Sequence, residues 1–398
     1  MKEKTIKEKK NTRRGNGEGS IFQRKDDRWC AKIQTGTSES GTPIIKTFYG
    51  KERKEVVAKL KEYHLLQSQG LDNLANDTLK DYILSWLKLT KTNDLKPLSY
   101  DRLESTINNH IIPNIGHYEL NKLTAPVIQE ELINKMVEDG KSYSSIKKAY
   151  DAINACMKYA ADNRKVIFNP VNTVTKPSSS KFKKKEIEIF TDNEKEKFEE
   201  VCLTKYNNNE FIFKKGYGFI LMLYIGVRMS EALALRWLDV DIENKRINVK
   251  NSIIITKNRK RKDESSPKNI MVHQDTTKTP KGNRSIQLSK KALNALIELN
   301  KMYHYTPDSY IFFTNNNTPI RPRNLQNTFD AILERAGIKH KGLHVLRHTF
   351  ASMLFKKGID VKTVSELLGH ADVRITYETY IHLIQEQKNK AIDLLDDM

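Results

Sequence analysis

These 398 residues predict a mainly α fold with small β-sheets, an α+β chain in three parts. Three observations carry that reading. Short β-prone runs separated by turn residues lie near the N-terminus, and apolar positions at helical spacing fill residues 74–176. From Ile187 onward helices dominate again, interrupted by β-like runs at Arg246–Val249, Ser252–Thr256 and Arg284–Leu288. A chain of this length favours two or three domains over one core.

Residues 1–14 hold Lys2, Lys4, Lys7, Lys9, Lys10, Arg13 and Arg14 with no apolar run to bury, and read as a basic disordered arm. Residues 15–70 read as a small domain. Its strands are Gly19–Arg24, Arg28–Gln34 and Ile44–Tyr49, with a turn at Asp26-Asp27 and a helix over Arg53–Gln67. Arg24, Arg28, Lys32 and Lys46 make this sheet basic, and a basic sheet suits a DNA groove.

Residues 74–176 read as all-helical. Leu79, Ile83, Trp86 and Leu87 make one apolar face, and Leu103, Ile107 and Ile111 a second. Thr124-Ala125-Pro126 opens a third helix with an N-cap and an early proline. Ile146, Ala149, Ile153, Met157 and Ala160 form a fourth, stopped by Asn169-Pro170. Trp86 and Tyr82 read as core residues. Residues 177–186 form a Pro/Ser linker whose Lys183 and Lys184 are either solvated or set against phosphates. Residues 187–398 form the last domain.

Lys plus Arg total 69 against 49 acidic residues, a net charge of +20. Such an excess points to a polyanionic partner, with solubility through surface lysines as the bland alternative. Cys30, Cys156 and Cys202 fit neither a disulfide framework nor a zinc spacing, so a reducing cytoplasm is expected and each reads as apolar filler. No signal peptide or membrane span is expected, because the longest apolar stretch, Phe219 to Val227, is too short.

The chemistry resides in five short stretches: Gly226-Val227-Arg228-Met229-Ser230-Glu231, Thr277-Lys278-Thr279, His344-Val345-Leu346-Arg347-His348, Leu368-Gly369-His370 and Thr379-Tyr380. They offer arginines, a lysine, histidines and a tyrosine, with no acidic cluster for magnesium. That inventory suits attack of a tyrosine oxygen on a DNA phosphodiester, with cationic donors in place of a metal, and no cofactor is expected. In order and spacing the set resembles the tyrosine recombinase (lambda-integrase-like) family of phage and conjugative-transposon integrases.

The resemblance implies roles. Arg228 and Arg347 become the two phosphate-clamping arginines, and Glu231 a residue that orients them. Read alone, Arg228 and Glu231 are an ion pair at a helix end. His344 maps to a proton carrier or phosphate donor and His370 to a donor to a non-bridging oxygen. His348 supports packing. Lys278 is preferred over Lys281 as general acid, because Arg284-Ser285-Ile286 falls where the following strand should begin. The nucleophile is Tyr377 or Tyr380; Tyr380, ten residues beyond His370, fits the family interval and Tyr377, seven beyond, does not.

The implied function is site-specific recombination that integrates or excises a mobile element through a 3′-phosphotyrosine and a Holliday junction. The sheet resembles the family's arm-type DNA-binding domain and the helices its core-binding domain. Expected partners are double-stranded DNA at attachment sites, a homotetramer on two DNA sites, and an excisionase or host DNA-bending protein, in a bacterial cytoplasm. The tail from Ile384 to Leu395 docks either on a neighbour or on its own domain. The rivals are a resident Xer-like resolvase, a type IB topoisomerase and a non-catalytic DNA-binding regulator.

Overall fold

The computed structural model describes residues 19–38, 41–68, 77–182, 186–261, 263–275, 283–314 and 316–396. They fall into two compact units, Met1–Phe182 and Lys183–Met398.

The first unit opens with strands β1 (Ser20–Gln23), β2 (Trp29–Thr37) and β3 (Pro43–Gly50), antiparallel in that order. Asp27, at φ 59°, makes the tight turn between the first two. Helix α1 (Arg53–Ser68) covers one face, where Ala31 and Ile33 pack with Val56, Leu60 and Tyr63. Alternation along a strand fixes the other face. Phe22, Cys30 and Tyr49 stand in one cross-strand row, and Ser20, Lys32 and Thr47 in the next.

A separate apolar cluster holds the helices of this unit. Helix α2 (Leu79–Lys91) is capped by the Thr78 side chain, which accepts from the Asp81 N–H, and it buries Leu79, Ile83, Trp86 and Leu87. The second predicted face lies on α3 (Pro97–Thr106), a π-helical segment (Ile107–Ile111) and α4 (Ile112–Ile115). Pro113 has no N–H and its ring crowds the preceding turn. The widened turn just before it, closed by Ile112 N–H to Ile107 O, accommodates that crowding. The third helix is α5 (Ala125–Val127), a second π segment (Ile128–Asn134) and α6 (Lys135–Glu138); Thr124 precedes it without a side-chain cap. Helix α7 (Tyr143–Asp162) ends earlier than Asn169-Pro170 suggested, and Asn169 instead caps a 3-10 turn at Pro170–Thr173.

The second unit begins with α8 (Asp192–Cys202), whose Thr191 and Glu194 form a reciprocal capping box. Helix α9 (Gly216–Ile225) is buried on all sides but for Tyr217 and Tyr224, and runs into α10 (Met229–Ala232). Strands β4 (Val240–Asp241), β5 (Arg246–Val249) and, farther along, β8 (Arg284–Gln287) make one antiparallel sheet. Between β5 and β8 the chain inserts a hairpin, β6 (Asn251–Lys257) and β7 (Asn269–Asp275). Strands β4 and β7 lie outside the β-like runs that the sequence shows. Helices α11 (Lys290–Tyr303), α12 (Pro322–Arg335), α13 (His344–Lys356), α14 (Val361–Leu368) and α15 (Val373–Asp396) complete the unit. A large core joins α8, α9, the sheet, α11 and α12, while a smaller one gathers Phe350, Phe355, Val364, Leu368, Tyr380 and Leu383. The three cysteines are free and buried, as apolar filler should be. Among the described residues, no helix is long and apolar enough to cross a membrane.

Candidate active site

Two glycine turns build the site. Helix α9 stops at Gly226, whose φ of 64° is left-handed, and a Cβ there would run into the Phe350 ring. That turn delivers Arg228 to the start of α10. Helix α14 stops at Gly369 in the same way (φ 67°), and a Cβ there would come within 2.7 Å of Arg284 Nη1.

Between these turns lies one buried carboxylate. Glu231 is 3% exposed and accepts the Arg228 N–H at 2.9 Å and Arg228 Nη1 at 2.6 Å. Arg284, the first residue of β8, donates to the same carboxylate at 3.2 and 2.8 Å. Burial alone would raise Glu231, but the hydrogen bonds and charge of Arg284, with the charge of Arg228, hold it down at about 2.

Three guanidiniums then converge on the C-terminal end of α14. Arg284 Nε donates to the Leu367 carbonyl at 2.9 Å, Arg347 Nη2 to Leu368 at 2.7 Å and Arg228 Nη2 to Gly369 at 3.3 Å. The last carbonyls of a helix have no intrahelical partner and carry its negative end, so they attract cations. Arg347 Nη1 also donates to Gly226 O at 2.9 Å, tying the two glycine turns together. Burial, reinforced by Arg228, lowers Arg347 to about 9, yet a guanidinium remains charged at neutral pH.

The histidines surround this cluster. His344 opens α13 and is lowered by burial and by Arg347 and Arg228. His370 follows Gly369 directly, with Nδ1 2.7 Å from Thr376 Oγ1, and burial and the three arginines lower it to about 4. His370 is therefore neutral at physiological pH. His348 lies one turn beyond His344, its Nδ1 2.7 Å from Tyr380 Oη. Burial, His344 and Arg347 lower it to about 4.

The two candidate tyrosines have different surroundings. Tyr380 is 1% exposed, its ring 5.5 Å from that of Phe355, and its φ/ψ of −116°/22° breaks α15. Burial raises its phenol well above the ordinary value. Tyr377 is 40% exposed.

The structure thus brings Arg228, Glu231, Arg347, His344, His370 and Tyr380 into one unit. Lys278 lies outside the described residues, between the end of β7 and the start of β8, as does Lys281; Lys183 and Lys184 are outside them too. Of the basic sheet residues, Arg24 and Arg28 pair with Asp26 at 3.5 and 2.7 Å, within reach of the Tyr49 ring. Lys32 shares the open face with Phe22, but Lys46 does not. It pairs with Ile33 on the helix-covered face, its Nζ 4.6 Å from the Tyr63 ring. Sequence reasoning gave no part to Arg284 and only packing to His348, although both bond directly to site residues.

Arginines, histidines and a sequestered tyrosine gathered in this way suit the handling of a phosphodiester. Residues 188–387 match the phage integrase family, and residues 78–137 match the phage integrase N-terminal SAM-like domain. A tyrosine recombinase XerC-like protein of Caldanaerobacter subterraneus subsp. tengcongensis is 31% identical, covering 92% of this chain and 95% of that one. The Tn1549 transposon integrase, solved in complex with a circular intermediate DNA, superposes with a TM-score of 0.60 at 18% identity, over 79% of this chain and 99% of that one. A lambda integrase tetramer bound to a Holliday junction gives 0.55 at 15% identity, over 88% and 95%. The chain belongs to the phage integrase family. It is a tyrosine recombinase, an enzyme that cleaves and rejoins DNA.

Proposed function

We propose that Tyr380 is the nucleophile and that Arg228 and Arg347 bind the non-bridging oxygens of the scissile phosphate. The convergence of Arg228, Arg284 and Arg347 on three consecutive carbonyls carries this reading. It fixes the arginines before DNA arrives, so little reorganisation remains when negative charge develops. A guanidinium has five N–H donors, and Arg228, whose side chain is 35% exposed, offers the rest of its fork to a phosphate. Glu231 orients Arg228, while His344 and His370 donate to phosphate oxygens. Lys278, carried between β7 and β8, protonates the leaving 5′-oxygen.

In the forward step the Tyr380 oxygen bonds to phosphorus and the bond to O5′ breaks, leaving a 3′-phosphotyrosine and a 5′-hydroxyl. The 5′-hydroxyl of a partner duplex reverses the exchange. One phosphoester replaces another, so no energy source is consumed. The chain integrates or excises a mobile element at attachment sites, as four protomers on two DNA sites joined in a Holliday junction. The lambda integrase tetramer supports this assembly, and the Tn1549 likeness supports the mobile-element role. An excisionase or host DNA-bending protein sets direction, and the enzyme works on DNA in the bacterial cytoplasm. Its domains are the basic sheet at 15–70, the helical DNA clamp at 74–176 and the catalytic domain at 187–398. The XerC-like relative favours a second reading, a resident resolvase; the basic sheet at the N-terminus argues for an integrase.

A nicked suicide duplex carrying the element's end tests the proposal. Wild type and Tyr377→Phe should form a covalent adduct and Tyr380→Phe should not. Loss with Tyr377→Phe alone would move the nucleophile, and tight specific binding with no adduct from any version would favour a non-catalytic regulator.

A further inference from the structure

Activation of the nucleophile poses a problem that the arginines do not solve. Tyr380 is almost fully buried, among Phe355, Leu368 and Leu383, and burial favours its neutral phenol. Attack on phosphorus requires that proton to leave. Among the described residues, the polar atom that meets Tyr380 Oη is His348 Nδ1, at 2.7 Å, with the rings edge-on at 62°.

We propose that His348 is a further catalytic residue, the proton acceptor for Tyr380 in cleavage and the donor that returns the proton in rejoining. The inference rests on Tyr380 being the nucleophile. In cleavage, the Oη–P bond forms while the Oη proton passes to His348 Nδ1. The P–O5′ bond breaks and the 5′-oxygen takes its proton from the cationic general acid. Rejoining runs in reverse: O5′ attacks, the P–Oη bond breaks and the Nδ1 proton returns to the phenolate.

Two features suit His348 to this part. Its Nδ1 accepts from a phenol only when unprotonated, the state that burial and the neighbouring charge impose at neutral pH. The groups facing it are His344 and Arg347 on its own helix and Tyr380 on α15, with Arg228, Glu231 and Arg284 beyond Arg347. An incoming phosphate would offset that positive field and make the imidazole more basic as the reaction begins. Tyr380 also sits at the break in α15, at non-helical φ/ψ, so its position is set apart from the regular turns on either side. His344, whose ring centre is 6.2 Å from that of His348, is left to bind phosphate.

The test is single-turnover adduct formation on the nicked duplex at saturating DNA, from pH 6 to about 9.5, below the ordinary phenol range. His348→Asn can accept the phenol hydrogen bond but cannot take up the proton; His348→Ala removes both functions. Both should bind DNA normally and cleave about 100-fold more slowly at neutral pH. Their rates should climb about tenfold per pH unit as the phenol ionises unaided, while wild type stays flat above neutrality. A His348→Asn protein that cleaves within about threefold of wild type, or whose profile stays flat, overturns the proposal. Should His348→Ala fail to fold, the Asn variant alone decides. Tyr380→Phe runs alongside: an adduct there sinks the nucleophile assignment itself, whereas its loss with an unaffected His348→Asn sinks only the proton transfer.

Discussion

Two arginine–carboxylate pairs in this molecule have nearly the same length and opposite uses. In the N-terminal sheet, Arg28 Nη2 lies 2.7 Å from Asp26, with side chains 60% and 38% exposed. In the catalytic unit, Arg284 Nη2 lies 2.8 Å from Glu231, with side chains 7% and 3% exposed. Water and salt compete for the first pair, so it contributes little to stability and leaves its cation available to a polyanion. The second pair is sealed from water, and removing either partner strands a charge. The net charge of +20 therefore hides two populations: cations open to water and available to a polyanion, and cations sealed inside the catalytic unit.

The largest effect should come from the buried population. Arg347→Ala removes a guanidinium that spans Gly226 and Leu368, and adduct formation should fall by about 10²–10³-fold. A gel-shift at moderate salt should meanwhile show DNA binding nearly intact, because most of the affinity comes from elsewhere on the protein. Comparable losses of binding and cleavage would mean that Arg347 merely holds DNA.

Next comes the pair itself. Arg284→Met leaves Glu231 with Arg228 alone, and unfolding in denaturant should show a loss of about 3–5 kcal/mol. Cleavage should fall as well, since Arg228 is then drawn wholly to the carboxylate. Adding Glu231→Gln removes the stranded charge and should restore part of the stability. A double variant no more stable than Arg284→Met would show that packing, not charge, set the loss.

The same contrast predicts an acid response. His348 and His370 ordinarily titrate near 6.5 but are held at about 4 in the folded chain. Between those values the unfolded state binds more protons, so stability drops as pH falls through that window. Glu231 adds a lower window, from its ordinary 4.5 down to about 2. Melting temperature followed from pH 7 to 4 should decline, with a smaller decline in His348→Asn. An equal decline in that variant would remove His348 from the account.

How much of this was legible follows the range of each interaction. The strands around Trp29–Thr37 and the helices around Trp86 and Ala149 announce themselves through local periodicity. The Arg228–Glu231 pair spans three residues and reads directly as a helix start. Arg284 does not, because Glu231 lies 53 residues away and Leu367 83 residues away, and strand β8 presents it as one more surface cation. His348 stood in plain view beside Arg347, but its link to Tyr380 crosses 32 residues and depends on the break in α15. The π segments escape because apolar spacing looks alike in α and π turns; Pro113 was the available signal.

The smallest predicted effect separates two lysines that sequence treated alike. Lys32 stands on the open face of the sheet, whereas Lys46 turns to the helix side and lies over Tyr63. If the open face meets DNA, Lys32→Ala should weaken binding to every sequence equally and lower the slope of log affinity against log salt by about one. Lys46→Ala should leave that slope alone and lower stability by under about 1 kcal/mol, the worth of an exposed cation–ring contact. Equal slopes for the two variants would mean that the open face is not the DNA-binding one. A slope change with Lys46→Ala alone would place the nucleic acid against α1. Both lysines are exposed, so the face of the sheet on which each stands, and not exposure or residue type, is what the two slopes compare.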